Sequence, residues 1–394
     1  MATRREFLAI GAGAFALAGL PGVAFADVPG DHRFVLVLLR GALDGLAAVP
    51  PLGDPHYAER RGAVALMSSS CIALDHGFAL NPGLKALAPY YQRRELLIVP
   101  ASGNGYTTRS HFDAQDLMEC GLSAKTHSSD GWLSRALALV QKPGDRRLGL
   151  AVGGAVPLVL RGPMQVASWE PTGFHLTNSD FLTTLSALYT RDPLLGPALN
   201  LGIRTQNFSD AVLGDNRPKA VGFGPKAFAP LAQAAGKLLG AADGPRIAAL
   251  DMYGWDTHVN QGTETGRLYE NLAGLAEGLD AMARALGPVW KDTVVVTVTE
   301  FGRTVAVNGT AGTDHGTASV MFILGGAVKG GRLYGDWPEL ARLKDNRDLR
   351  VGTDSRAVLK GILRDHFDID AAALAGKVFP DAPDLRPAAG LLRA

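Results

Sequence analysis

Residues 299–316, TEFGRTVAVNGTAGTDHG, follow DTVVVTV (292–298), one of the most apolar runs in the chain. The exit of a buried strand therefore carries Glu300 and Arg303, and a glycine-rich excursion leads on to Asp314 and His315. Other apolar runs are followed by similar groups. Asp44 comes just after RFVLVLL (33–39), and Arg109 and Ser110 follow ELLIVPA (95–101) through a Gly-rich loop. Asp256 and His258 follow RIAALDM (246–252). Asp44, Asp256 and Glu300 together with His258 and His315 form an oxygen–nitrogen donor set that zinc and harder divalent ions accept. Carboxylates crowded at a sheet edge repel one another unless a cation or an arginine offsets them.

Each residue also has a plainer reading. An Asp after a strand commonly caps a turn or a helix, and Ser110 opens SHFD, a typical helix N-terminus. A His before a strand is commonly a hydrogen-bonded structural residue. His111 is expected to point away from Ser110, because adjacent helical residues do not share a face. The conjunction favours the chemical reading: open α/β sheets bind ligands beyond the carboxyl ends of their strands.

Those ends need a sheet. The runs at 33–39, 95–101, 246–252, 292–298 and 319–325 are short, continuous and rich in β-branched residues, as buried parallel strands are. Weaker strand patterns lie at 147–153, 157–162 and 165–169. Helical patterns alternate with them at 82–94, 129–142, 225–240, 266–287 and 354–367. In 266–287, Leu268, Leu272, Leu275, Leu279, Met282 and Leu286 form one stripe. The expectation is an α/β fold with a mainly parallel central sheet and helices on both faces. Residues 27–394 read as one domain, with residues 170–245 as a cap or insertion over the sheet edge.

Length and composition agree. The chain has 394 residues, 47% of them hydrophobic and 20% charged, with a formal net charge of +1. That is long enough for a large core, and the near-neutral balance offers no field for nucleic acid or acidic lipid. Two cysteines, Cys71 and Cys120, are too few for a disulfide scaffold or a Cys-rich zinc site, and whether they bond is left open. The first 26 residues read as a twin-arginine leader: Arg4-Arg5, Phe7-Leu8, a Gly/Ala-rich apolar stretch, then Ala24-Phe25-Ala26 before Asp27. A membrane anchor is the alternative, and Pro21 and Gly22 argue against a stable spanning helix. Export to the periplasm, with no membrane span after cleavage, is the expectation.

RGALDGL, TTRSHFDAQDLMECG, GWDTH and TEFGRT…GTDHGT, with the leader, resemble the DUF1501 family from about residue 33 to about residue 385. That bacterial family is placed near the alkaline phosphatase and sulfatase superfamily. The resemblance implies a metal-assisted nucleophile at the strand ends. Ser110 is similar in place to the nucleophile, and Asp44 to the metal aspartate after the first strand. Asp256 and His258 resemble the Asp-plus-His pair, though closer in spacing, and His315 resembles the late His. Glu300-Phe301 stands where the superfamily has Asp followed by His, so one ligand of a two-metal site is missing.

The function this implies is hydrolysis of a phosphate or sulfate ester, small-molecule or glycan, with Ser110 as nucleophile. A divalent zinc, manganese, magnesium or calcium ion would favour the serine alkoxide, and the helix amides would stabilise the anion. Arg109 and Arg303 would grip the ester's non-bridging oxygens, unless they pair with nearby acids instead. Two alternatives stay open. A metal-independent serine esterase would use Ser110 with a histidine and a carboxylate, although no GxSxG elbow surrounds it. A non-catalytic periplasmic protein would use the rim to bind a glycan, a lipid headgroup or a protein partner.

Overall fold

The computed structural model describes residues 31–122, 128–140, 149–164, 166–171, 179–218 and 224–393. The leader and its cleavage site lie outside them. In chain order the strands are β1 (Arg33–Arg40), β2 (Ile72–Ala73), β3 (Ala79–Leu80), β4 (Leu96–Gly103), β5 (Gly149–Val152), β6 (Ala167–Trp169), β7 (Ile247–Tyr253), β8 (Thr293–Val298), β9 (Ser319–Leu324), β10 (Arg332–Leu333) and β11 (Thr353–Asp354). β2 and β3 form a small antiparallel pair. The rest build one sheet in the order β10-β4-β9-β8-β1-β7-β5-β6, with β11 also on β4.

β1 lies at the centre, parallel to β7 on one side and β8 on the other. Its side chains alternate between two cores, as the period of two in a strand requires. Val35, Val37 and Leu39 enter one, which also holds Leu84, Phe228, Leu272 and Met282. Phe34, Leu36 and Leu38 enter the other, with Trp132, Leu363 and Phe379. Helices therefore cover both faces, as the apolar runs implied. Arg267–Leu286 and Pro225–Gly240 lie on the first, and Trp132–Val140 and Ser355–Phe367 on the second. The expected stripe of Arg267–Leu286, from Leu268 to Leu286, is buried. Two further helices, Ser179–Tyr189 and Leu195–Leu213, occupy the middle of the chain.

Three expectations change. The run at 319–325 does form a strand, but β9 is antiparallel to both β4 and β8. The pattern at 157–162 is no strand: Leu158–Leu160 is a short 3-10 turn held by the Leu160 amide on Pro157 O. The pattern at 82–94 is split into a 3-10 turn, Pro82–Leu87, and a short helix, Ala88–Gln92. Both cysteines are free thiols, Cys120 buried and Cys71 half-buried. Among the described residues no helix is long and apolar enough to cross a membrane.

Candidate metal centre

The reversal of β9 builds the site. β1, β7 and β8 are parallel and end at one edge, with Arg40 opposite Tyr253. A parallel β9 would begin at the far edge and carry His315 away from them. Because β9 is antiparallel, Ser319 lies opposite Ser102 near the end of β4, and the residues just before it share the rim. The excursion between β8 and β9 is thus a hairpin extension: Arg303 bridges His315, and the Thr304 amide donates to Asp314 O at 2.8 Å. The loop after β7 is anchored by the buried Trp255, whose indole donates to Met252 O at 3.0 Å. It is tied to the excursion by Asn260 N on Thr310 O (2.9 Å), Gln261 N on Ala311 O (3.0 Å) and Thr313 N on Thr257 O (3.1 Å).

Three imidazoles meet there. His111 Nε2 and His258 Nε2 each lie 2.9 Å from His315 Nε2. Asp256 flanks them: its Oδ1 is 3.0 Å from His258 Nε2 and 3.4 Å from His315 Nε2, and its Oδ2 is 3.6 Å from His111 Nε2. His111, Asp256 and His315 each offer a ligand atom, all within 4.8 Å of one another. The side chains are 22% (His111), 24% (His315), 39% (His258) and 43% (Asp256) exposed, so solvent reaches the cluster.

The other ring nitrogen of each imidazole faces an acceptor. His111 Nδ1 is 2.8 Å from Glu300 Oε1, His258 Nδ1 is 2.9 Å from Asp314 Oδ1, and His315 Nδ1 is 3.0 Å from Arg109 O. Ionised carboxylates and carbonyls only accept, so Nδ1 must donate in each ring. In the neutral form, the Nε2 lone pairs then point at one another and at the Asp256 carboxylate. Such an array is repulsive unless a cation or protons fill it. This donor set fits a cation, and carboxylate- or carbonyl-held imidazoles are the usual support of metal-binding histidines. Without a cation, protons take the same role: the Asp256 and Glu300 carboxylates raise the His111 pKa to about 9. Burial alone would raise the Asp256 carboxyl, but hydrogen bonds from His111, His315 and Arg303 outweigh it and hold it far below the usual range.

The expected residues do not all converge. Asp256, His258 and His315 do. Asp44 does not: it is buried, caps the helix Gly45–Ala48 through Ala47 N, and pairs with Arg61 Nη2 at 2.6 Å and Gln261 Nε2 at 2.7 Å. Glu300 is one layer back. Its Oε1 accepts from Gly41 N (2.8 Å) and Gln115 Nε2 (3.0 Å) as well as His111, and its Oε2 accepts from Thr299 Oγ1 (3.1 Å). Gly41 has φ +117, and a Cβ there would come within 2.7 Å of Asp256 N, so only glycine lets the chain leaving β1 pass this close to the loop that carries Asp256. Arg303 is buried, bonded to Asp256 Oδ1 at 2.6 Å and to Thr313, rather than free for an anion. Arg109 is engaged by Asp348 Oδ2 at 2.6 and 3.0 Å. Ser110 is the N-cap residue of the helix His111–Cys120, yet its hydroxyl does not cap it.

His111 is the residue that sequence reasoning left out of the site. The rule that adjacent residues diverge holds within a helix, but Ser110 has extended backbone (φ −94, ψ 121) and His111 is the first helical residue. Its ring leaves the helix end towards the rim. Asp314 and Gln115 were not assigned roles either. The adjacency of Asp314 to His315 was the available signal for the first, and nothing local marks the second.

No curated protein matches the chain in sequence. Among solved structures it is similar to the phosphonate monoester hydrolase SpPMH from Silicibacter pomeroyi, with 11% identity, a TM-score of 0.40, and 89% of this chain and 77% of that one covered. The phosphonate monoester hydrolase of Agrobacterium radiobacter overlaps with 11% identity and a TM-score of 0.37, over 91% of this chain and 78% of that one. The lipoteichoic acid synthase LtaP from Listeria monocytogenes does so with 12% identity and a TM-score of 0.34, over 78% and 68%. Overlaps this loose carry no argument about the chemistry of this chain. One family model, described as a protein of unknown function (DUF1501), matches residues 121–376, more than half of the chain, and the chain belongs to that family.

Proposed function

We propose that this chain is an exported, metal-dependent hydrolase of a phosphate or sulfate ester, with Ser110 as its nucleophile. The observation that carries the reading is the convergence of three imidazole Nε2 atoms and the Asp256 carboxylate on a solvent-facing rim, next to a helix N-terminus at which a serine hydroxyl is left uncommitted. His111, His258, His315 and Asp256 would hold the ion. When bound, it supplies Lewis acidity to an ester oxygen and lowers the pKa of a nearby hydroxyl. The chain's own contribution is position. Ser110 stands between Arg109, whose carbonyl steadies His315, and His111. The ten-residue helix His111–Cys120 presents the positive end of its dipole to an anion beside Ser110. Arg303 orients Asp256 rather than gripping substrate.

The commitment of both arginines to carboxylates favours a second reading, an exported protein that binds a ligand at the rim without cleaving it. Purified metal-loaded protein assayed against aryl phosphate and aryl sulfate esters separates the two. Hydrolysis that falls at least 10³-fold in Ser110→Ala, with metal content unchanged, is expected from a covalent nucleophile. Metal-loaded protein inert towards both ester classes leaves the binding reading, and full activity in Ser110→Ala removes the serine from its role.

A further inference from the structure

We infer that the rim holds one ion of the nitrogen-preferring transition-metal class, zinc or its neighbours, on His111, His258, His315 and Asp256, and that Glu300, Asp314 and the Arg109 carbonyl are positioning groups for the three imidazoles. The inference rests on the metal half of the reading above and on none of its hydrolysis.

Ligand type comes first. Calcium and magnesium are oxygen-bound ions, and magnesium keeps several waters. A set with three imidazoles and one carboxylate suits zinc, cobalt, nickel or copper instead. Separation agrees. Ligands placed tetrahedrally at about 2.0 Å from an ion stand about 3.3 Å apart; within His111, Asp256 and His315 the separations are 2.9, 3.4 and 3.6 Å, and His258 Nε2 lies 2.9 Å from His315 Nε2 and 3.0 Å from Asp256 Oδ1. The imidazoles are also pre-oriented, each with its Nδ1 held by an acceptor at 2.8 to 3.0 Å.

A second ion lacks ligands. The Asp44 carboxylate is used by Ala47 N, Arg61 and Gln261, and Arg61 already supplies a positive charge to it. The Glu300 oxygens are used by Gly41 N, His111, Gln115 and Thr299. Asp314 Oδ1 is shared by His258 and Asn308. Among the described residues the group of histidine, cysteine or acidic side chains that gathers to ligand distance is the one at this rim, around His111, Asp256 and His315.

The test titrates metal-stripped protein with Zn²⁺, Co²⁺, Mg²⁺ and Ca²⁺, reading stoichiometry by calorimetry, the melting temperature, and the visible spectrum of the Co²⁺ form. One equivalent of Zn²⁺ or Co²⁺ is expected, with a raised melting temperature, and no shift from millimolar Mg²⁺ or Ca²⁺. His258→Ala removes a ligand and should abolish tight binding. Glu300→Gln and Asp314→Asn should each weaken Zn²⁺ binding 10- to 100-fold and alter the Co²⁺ spectrum. Far-UV circular dichroism of the metal-free variants checks folding. If Glu300→Gln does not fold, the half-exposed Asp314 carries the test. Two equivalents per chain, tighter binding of Mg²⁺ or Ca²⁺, or unchanged Zn²⁺ affinity in folded His258→Ala and Asp314→Asn overturns the inference. Zinc-loaded protein that cleaves no ester overturns the hydrolase reading and leaves this one standing.

Discussion

At the scale of single residues, the rim separates carboxylates by what already surrounds them. Asp256 is half-exposed with imidazoles on one side, whereas Asp44 is enclosed and paired with Arg61, which is itself wholly buried. A buried ion pair is costly to break from one side, because the remaining charge has no water to return to. Arg61 keeps only the carbonyls of Thr304 and Val305, and its Nε has no partner. Asp44→Asn is therefore expected to lose about 3–5 kcal/mol of stability in urea unfolding, while the folded fraction retains its Zn²⁺ affinity. A tenfold loss of affinity with stability intact would return Asp44 to the metal site.

At the scale of elements, the antiparallel β9 and the hairpin it extends decide which side chains meet, and the helices on the opposite side of the molecule decide how firmly β1 is held. Ser355–Phe367 carries His366 in its last turn, buried against the start of β1, where its Nε2 donates to Arg33 O at 2.8 Å. Burial pushes this imidazole down to about 4. The unfolded chain takes up a proton below about pH 6.5, which the folded chain refuses until about pH 4. Stability from this group is thus unchanged above pH 6.5, falls as pH drops from 6.5 to 4, and levels off below. A shift of about 2.5 units corresponds to a loss of about 3 kcal/mol. His366→Gln, which keeps a donor for Arg33 O and has no proton to take up, should show a shallower decline over that interval. Parallel curves for variant and wild type would dismiss the role of His366.

At the scale of the whole molecule, a rim built from the end of β7, the link between β8 and β9 and the start of the helix at His111 exists only in the folded chain. Its residues span positions 111 to 315. A transport route for folded proteins suits such a site, since the ion can be loaded before export. Replacing Arg4 and Arg5 by lysine should leave precursor in the cytoplasm, while the wild type yields a periplasmic form beginning at Asp27. Efficient export of the double variant, read by fractionation and N-terminal sequencing, would count against the twin-arginine route.

The α/β architecture, the five principal strands and the long helices were legible in the chain because burial on both sheet faces demands unbroken apolar β-branched runs, and burial on one helix face demands a stripe. The clustering of polar groups at strand exits was legible for the same reason: a buried run must end before a charge. Strand direction was not, because SVMFILG is equally apolar read either way, and only its pairing with β4 and β8 turns it round. Nor were the roles of the carboxylates. Asp44 is neutralised by Arg61 and Gln261, and Glu300 is drawn back by Gly41 and Gln115, partners up to 259 residues distant in the chain. Residue type states that a carboxylate can bind a cation; which neighbours the fold brings to it decides whether its lone pairs remain for one.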